Sequence, residues 1–282
     1  MREKTEIKLI AFDLDYTLLD SNKELPAANR DAILRAAAAG IEIVPATGRA
    51  YGSIPEVVKE LPIHYAITIN GAIPFDVRKQ AAIAHTGLNR ETALEVMRYL
   101  KTLPVIYNAV LADDCGYIMS KEHLSHIEDY FDEEPQIKIM QKFLRPVDDV
   151  EATVRRMGYG VNKIVSFTLD RGLIASLLRE LPARFPGTAI SSSYDNNVEI
   201  NDEHANKGEA LVKLAEYLKI DMSQTMAFGD GLNDISMLRA AGIGVAMGNA
   251  CEEVRSAADF VTLSCDESGM AVAIEKFCFG SE

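Results

Sequence analysis

The sequence predicts an α/β protein, with a Rossmann-like parallel-sheet core and an α+β module inserted between its two halves. Three observations lead there. Near both ends of the chain, short apolar β-prone runs alternate with helical stretches, the rhythm of βαβ units in a parallel sheet. Between about Thr86 and Ile190 that rhythm gives way to strand-like stretches among longer amphipathic segments. Several of the apolar runs also close on polar, carboxylate-rich residues, and open α/β sheets place their ligands at such strand ends. The expected division is a core of residues 1–85 plus 191–282 and an inserted domain of residues 86–190.

The elements follow in order. Ile7 to Phe12 is almost continuously apolar, as a strand buried on both faces must be, and it stops at Asp13. Pro26 to Ala39 has proline at its start, an alanine-rich body and Gly40 where a C-terminal cap belongs, which predicts a helix. A strand over Ile41–Ala46, a short helix around Pro55–Leu61 and a third parallel strand over Tyr65–Ile69 continue the pattern. In the insertion, Val105–Val110, Tyr117–Met119, Ile137–Phe143 and Lys163–Leu169 are strand-like, with a turn expected at Asp113–Gly116. A helix over Lys207–Leu218 then precedes three short strands, Thr225–Phe228, Gly244–Ala246 and Phe260–Leu263, and a last helix near Met270–Phe277.

Composition narrows the function. The chain has 282 residues, 48% of them hydrophobic, enough for one substantial core and a smaller second one. The formal net charge of −13 repels phosphate backbones and sets nucleic acid aside as a partner. No apolar run reaches the ~20 residues that span a bilayer, and the first residues lead into a strand instead of a signal peptide, so no membrane partner and a cytoplasmic location are expected. The four cysteines, Cys115, Cys251, Cys265 and Cys278, have no Cys-x-x-Cys spacing and support neither a disulfide framework nor a zinc site.

Four clusters carry chemistry. Asp13-Leu14-Asp15-Tyr16-Thr17 closes the first strand. Side chains two apart in extended chain point the same way, so two carboxylates converge with no basic residue near in sequence, a costly arrangement unless a cation is bound. Mg²⁺ is the hard, oxygen-seeking candidate. Alone, the pattern fits a solvated acidic turn equally well. Phe228-Gly229-Asp230-Gly231-Leu232-Asn233-Asp234 brings two more carboxylates to a strand end, without the oxygen spacing and terminal glutamate of an EF-hand loop. Asp234 by itself also suits a helix cap. Thr47-Gly48-Arg49 offers a hydroxyl and a glycine N–H to an oxyanion. Lys207 opens a helix, where an anion is favoured and a cation mildly disfavoured; in isolation it reads as a surface lysine.

In this order, Asp-x-Asp-x-Thr, the strand-end Thr, the helix-start Lys and Gly-Asp-x-x-Asn-Asp resemble the four motifs of the haloacid-dehalogenase-like (HAD) phosphatases. Asn70-Gly71-Ala72, the position of the insertion and Glu267-Ser268-Gly269 resemble the Cof-type branch, whose cap is a large α/β module. The resemblance implies that Asp13 is the nucleophile that becomes an aspartyl phosphate. Asp15 would protonate the leaving oxygen and then activate water. Mg²⁺ would be held by the Asp13 side chain, the Asp15 carbonyl and Asp230, with Asp234 steadying the site. Thr47, Gly48 and Lys207 would bind the phosphoryl oxygens with help from Asn233, and Asn70 would bind phosphate or assist cap closure. The implied substrate is a small phosphorylated metabolite, a sugar phosphate or a phosphorylated cofactor, gated by the cap. One departure is Tyr16, where the family usually carries Gly or a small or polar residue; its ring is expected to narrow the pocket.

Other features carry less. His123 and His126 lack a carboxylate partner at metal spacing, His204, close to Lys207, reads as a linker histidine with a local hydrogen bond, Glu128–Glu134 reads as a solvated helix end, and Arg49 fits either substrate or a core carboxylate. Two further functions use the same residues: a phosphosugar mutase, which returns the phosphoryl group to a sugar hydroxyl, and a non-catalytic phosphate-ligand sensor, which has no use for a general acid.

Overall fold

The computed structural model of the protein describes residues 6–111, 116–130, 144–157, 160–192 and 195–280. Its strands, in chain order, are β1 Leu9–Phe12, β2 Glu42–Pro45, β3 Tyr65–Thr68, β4 Ile73–Asp76, β5 Ala81–Ala82, β6 Ile106–Leu111, β7 Gly116–Ser120, β8 Leu144–Val147, β9 Lys163–Phe167, β10 Thr188–Ser191, β11 Asn197–Asp202, β12 Thr225–Gly229, β13 Ile243–Ala246 and β14 Phe260–Val261. Two compact units divide them: Met1–Ala84 with Asn206–Glu282, and His85–Ala205.

The first unit is built on a parallel sheet in the order β14-β13-β12-β1-β2. Period-two alternation explains why β1 is apolar throughout. Ile10 and Phe12 face a cluster with Ile33 and Ala36 of the helix Ala27–Ala38 and Ile274 of the helix Gly269–Ile274. Leu9 and Ala11 face the opposite layer, with Leu211 and Leu214 of the helix Lys207–Leu218 and Leu238 of the helix Ile235–Ala240. Each such buried side chain is worth about 1.5–3 kcal/mol, so β1 is anchored from both sides and its carboxyl end is fixed.

The second unit carries a sheet in the order β10-β11-β9-β6-β7-β8, antiparallel except between β7 and β8. One face packs on the helices Arg90–Leu100, Val150–Arg156 and Arg171–Arg184 through Ala93, Leu94, Val154, Leu177 and Leu181.

Two expectations change. The third strand does not extend the main ladder: β3 meets that sheet only through the parallel bridge Ala46↔Ile67 and pairs antiparallel with β4, which pairs with β5. The chain reverses there through Ile69, Asn70 and Gly71, all left-handed at φ 52°, 55° and 101°, and a hairpin containing Pro74 and Asp76 lacks the usual strand composition. The return to the first unit falls at Asn206 and not at residue 191, because Val198 and Ile200 alternate with Glu199 and Asn201 as one more strand of the second sheet. The last helix, expected near Met270–Phe277, runs over Gly269–Ile274 and continues as a wider helical turn over Glu275–Phe279. The expected strand Ile137–Phe143 and residues Asp113, Asp114 and Cys115 of the expected turn lie outside the described residues.

Candidate active site

Parallel neighbours end at one sheet edge, and that brings the strand-end motifs of the first unit together. The Asp13 N–H donates to the Phe228 carbonyl at 3.0 Å, and the Ala46 N–H to the Phe12 carbonyl at 2.7 Å, so the residues after β1, β12 and β2 are tied side by side. Asp13 and Asp230 follow their strands directly, and Thr47 comes two residues after β2.

Lys207 is the first residue of its helix, behind Asn206, whose side chain accepts the Glu209 N–H at 2.9 Å. It is no surface lysine: its side chain is 0% exposed, and Nζ donates to Asp13 Oδ1 and Asp234 Oδ1, both at 2.6 Å. A cation in a first helical turn costs about 0.3–1 kcal/mol against the macrodipole, which two contacting carboxylates outweigh. Asp234 spends its other oxygen as well, because Oδ2 accepts the N–H groups of Asp230 and Gly231 at 3.0 and 2.9 Å. Its approach requires glycine at 229, where a Cβ would stand 2.3 Å from that of Asp234. Asp230 Oδ1 accepts from Thr17 Oγ1 at 2.8 Å.

Asp13, Asp230 and Asp234 each offer an oxygen within 4.8 Å of the others. With all three ionised and Lys207 protonated, the cluster carries two negative charges. Burial, with Asp234 and Asp230 close by, raises the Asp13 carboxyl to about 7 against the pull of Lys207. Burial and then Asp234 raise Asp230 to about 6, against the Thr17 hydrogen bond. Burial opposes the charge on Lys207, but Asp13 and Asp234 more than offset it and hold the ammonium above the ordinary lysine range. An all-oxygen, doubly negative donor set fits a hard divalent cation. Among the described residues, Asp13 Oδ2 and Asp230 Oδ2 receive no hydrogen bond, whereas both Asp234 oxygens are engaged. Asp234 therefore engages Lys207 and the Asp230 and Gly231 N–H groups, while Asp13 and Asp230 each keep one oxygen open.

Asp15 departs from expectation in two ways. Its carboxylate is not one of the three that cluster with Asp13, the chain turning after Asp13 where Tyr16 adopts φ 61°. Nor does it lack basic neighbours. Arg49 Nη2 lies 3.1 and 3.0 Å from its two oxygens, Arg49 Nε 3.3 Å from one of them, and Lys23 Nζ forms an ion pair with it at 3.1 Å. Burial pushes the Asp15 carboxyl up, but Arg49 and Lys23 outweigh it and hold it below the usual range. Arg49 thus takes the core-carboxylate alternative. Sequence distance hid Lys23, which reaches Asp15 by reversing the chain at φ 65°. The Tyr16 ring is 44% exposed, with Lys23 Nζ 3.7 Å from its centre, and its carbonyl accepts from Asn249 Nδ2 at 3.0 Å.

The remaining predicted residues lie about the same edge. Thr47 is buried, and its Oγ1 accepts the Arg49 N–H at 3.2 Å. The Asn70 N–H donates to the Thr47 carbonyl at 3.0 Å, and Asn70 Oδ1 accepts from Asn233 Nδ2 at 3.3 Å and packs over Gly48. Gly71 makes this possible: besides its positive φ, a Cβ there would stand 2.2 Å from the Asn206 carbonyl oxygen. The histidines lie elsewhere. His123 packs in the second unit edge-on to Tyr107, and burial lowers its pKa. His126 and His204 lie beside Asp129 and Glu203. Among the described residues, no helix is long and apolar enough to cross a membrane.

Comparison with known proteins agrees with the geometry. The family model for haloacid dehalogenase-like hydrolases matches residues 10–274. The chain is 31% identical to phosphatase YwpJ of Bacillus subtilis, covering 94% of this chain and 98% of that one. It is 30% identical to the 5-amino-6-(5-phospho-D-ribitylamino)uracil phosphatase YwtE of the same organism, over 97% and 99% of the two chains. Among solved structures, the HAD subclass IIB sugar phosphatase BT4131 superposes with a TM-score of 0.77 at 27% identity, over 96% of this chain and 98% of that one. A parallel sheet that delivers three carboxylates and a buried lysine to one edge, in a chain that matches this family over nearly its whole length, makes the protein a phosphatase of the haloacid dehalogenase-like superfamily, in its Cof-type branch.

Proposed function

We propose that the protein is a Mg²⁺-dependent phosphatase of small phosphomonoesters, sugar phosphates or phosphorylated cofactors, working through an aspartyl phosphate on Asp13. The observation that carries this reading is the buried Lys207 bridging Asp13 and Asp234 at 2.6 Å beside Asp230. Lys207 fixes Asp13 Oδ1, which leaves Oδ2 to meet phosphorus in line with the departing oxygen. Asp13 and Asp230, with the Asp15 carbonyl, would hold Mg²⁺, which when bound neutralises charge on the carboxylate and phosphoryl oxygens. As the bond from Asp13 to phosphorus forms, the bond from phosphorus to the ester oxygen breaks, and Asp15 gives that oxygen its proton. Asp15 then takes a proton from water as the water attacks the same phosphorus, the acyl-phosphate bond breaks, and Asp13 leaves as the free carboxylate.

Asp15 is held ionised by Arg49 and Lys23, so its acid role requires that grip to slacken. A phosphate dianion, which competes for the Arg49 guanidinium, supplies the means. Thr47, Gly48, Asn70 and Asn233 then offer hydrogen bonds to the phosphoryl oxygens. The inserted unit, as a cap, would read the remainder of the substrate. The test is phosphate release from p-nitrophenyl phosphate with and without a chelator, and with Asp13→Asn. Loss in both arms is expected; activity that survives either one overturns the mechanism.

A further inference from the structure

The edge that gathers Asp13, Thr47 and Asp230 has one more strand end, that of β13. Met247, the residue after β13, donates its N–H to the Gly229 carbonyl at 3.0 Å, so the turn that follows starts beside Asp230. Asn249 stands in that turn and uses both ends of its amide. Its Nδ2 donates to the Tyr16 carbonyl at 3.0 Å, and its Oδ1 accepts the Cys265 N–H at 2.9 Å. One side chain thus joins the loop after β1 to the turn after β14.

The turn after β14 is a firm anchor. Ser264 and Glu267 form a capping box, in which Glu267 Oε2 accepts the Ser264 N–H at 3.2 Å and the Ser264 hydroxyl at 2.6 Å. The N–H groups of Glu267 and Gly269 both donate to the Ser264 carbonyl, at 3.1 and 3.0 Å. Asp266 adds a second tie to the loop after β1, its Oδ1 accepting the Ser21 N–H at 2.9 Å. The Glu267-Ser268-Gly269 segment therefore belongs to a small rigid frame that grips that loop at Tyr16 and at Ser21.

What the frame holds is a strained backbone. Tyr16 is left-handed, with φ 61° and ψ 13°, a conformation that is costly for any residue carrying a Cβ. Its ring is 44% exposed, so burial of the side chain does little to enforce it. The consequence falls on Asp15, whose carbonyl lies in the planar peptide that joins it to Tyr16. Asp15 ψ, 126°, and Tyr16 φ together set the direction of that carbonyl; were Tyr16 to relax to a negative φ, the peptide would turn and carry the carbonyl off its present line. We infer that Asn249 is a positioning residue: by tying the Tyr16 carbonyl to the Ser264–Gly269 turn it keeps Tyr16 left-handed and aims the Asp15 carbonyl for Mg²⁺. The inference rests on the Mg²⁺-phosphatase reading above and deepens it. It also explains how this chain carries a tyrosine where glycine, which takes positive φ freely, would need no such tie.

The test is a double-mutant cycle on the full-length chain, with wild type, Asn249→Ala, Tyr16→Gly and the pair. The Mg²⁺ Kd is measured by titration calorimetry without substrate, and Tm in EDTA. Asn249→Ala should weaken Mg²⁺ binding about 5- to 30-fold, the fraction of the binding-competent conformer lost when a left-handed non-glycine residue is released. In the Tyr16→Gly background the same substitution should weaken it no more than about twofold. A merely structural role for Asn249 would lower Tm in both backgrounds and leave the Kd within about twofold of wild type; that result, or an equal loss of Mg²⁺ affinity in the two backgrounds, overturns the inference. Should Asn249→Ala not fold, Asn249→Asp, which keeps an acceptor for the Cys265 N–H and loses the donor to Tyr16, carries the same cycle. Wild type that binds Mg²⁺ but releases no phosphate from p-nitrophenyl phosphate refutes the phosphatase reading, while the Kd cycle still decides the role of Asn249; wild type that binds no Mg²⁺ overturns both.

Discussion

Lys207→Met removes the ammonium that Asp13 and Asp234 share and keeps most of the side-chain volume. The ammonium lies 2.6 Å from each carboxylate, with 0% of its side chain exposed, so its loss strands negative charge in the interior. Breaking a buried pair in this way costs about 3–5 kcal/mol, and at about 2–4 °C per kcal/mol the expected fall in Tm is about 6–20 °C. The loss depends on pH, and its sign follows from Asp13. Without Lys207 the Asp13 pKa rises further above its present value of about 7. A carboxyl raised in the folded state loses stability as pH climbs from its unfolded value, near 4, toward its folded one. The variant should therefore approach wild type at pH 5, where Asp13 takes up a proton, and show its full deficit at pH 8. Circular-dichroism melts in EDTA at pH 5, 6, 7 and 8 measure this, and Lys207→Met/Asp234→Asn should recover about 0.5–3 kcal/mol through the coupling of neighbours. A deficit below about 1 kcal/mol at pH 8, or one independent of pH, refutes the reading of the triad.

Three further outcomes are expected. Asp15→Asn should lower kcat on an alkyl phosphate by about 10²–10⁴-fold and far less on p-nitrophenyl phosphate, whose leaving group needs little protonation; equal losses on the two esters in steady-state assays would remove the acid role. Mg²⁺ at 100 times its Kd should stabilise the fold by about 2.7 kcal/mol. That effect should shrink at pH 5.5, where protons compete for Asp13 and Asp230, raised to about 7 and about 6; calorimetric scans at pH 5.5 and 8 decide. Gly71→Ala, at φ 101° and 2.2 Å from the Asn206 carbonyl oxygen, should cost about 1–3 kcal/mol in urea unfolding; a stability equal to wild type would mean that the turn at Ile69–Gly71 is not constrained.

Much of the first unit was legible because its signals are local. The continuous apolar run before Asp13 requires a strand covered on both faces, and β1 meets core residues on both sides. The start of the helix at Lys207 agrees with its sequence pattern because Asn206 caps it. What escaped was non-local or carried by backbone. Lys23 approaches Asp15 where left-handed residues bend the chain, and Arg49 comes to it because β2 pairs beside β1. Asp13 and Asp15 point to different partners because the strand ends at Phe12, so period-two reasoning stops one residue too soon. The strand at Asn197–Asp202 hid in a polar stretch, since four of its six positions are Asn, Glu or Asp.

The place of β1 between β2 and β12 sets an order of events during synthesis. Leu9 pairs with Glu42 on one side and with Thr225 on the other, so at about 5–20 residues per second a ribosome delivers the second neighbour roughly 10–40 s after the first. The whole of the other unit emerges in that interval as one uninterrupted stretch and can fold while β1, a bare apolar edge, waits for its partner. Asp230 and Asp234 come to Asp13 only when β12 closes that gap, so the carboxylate-bearing edge is among the last parts of the molecule to exist. In living cells, chaperone demand and aggregation should then track the docking of β12 more closely than the stability of the finished fold.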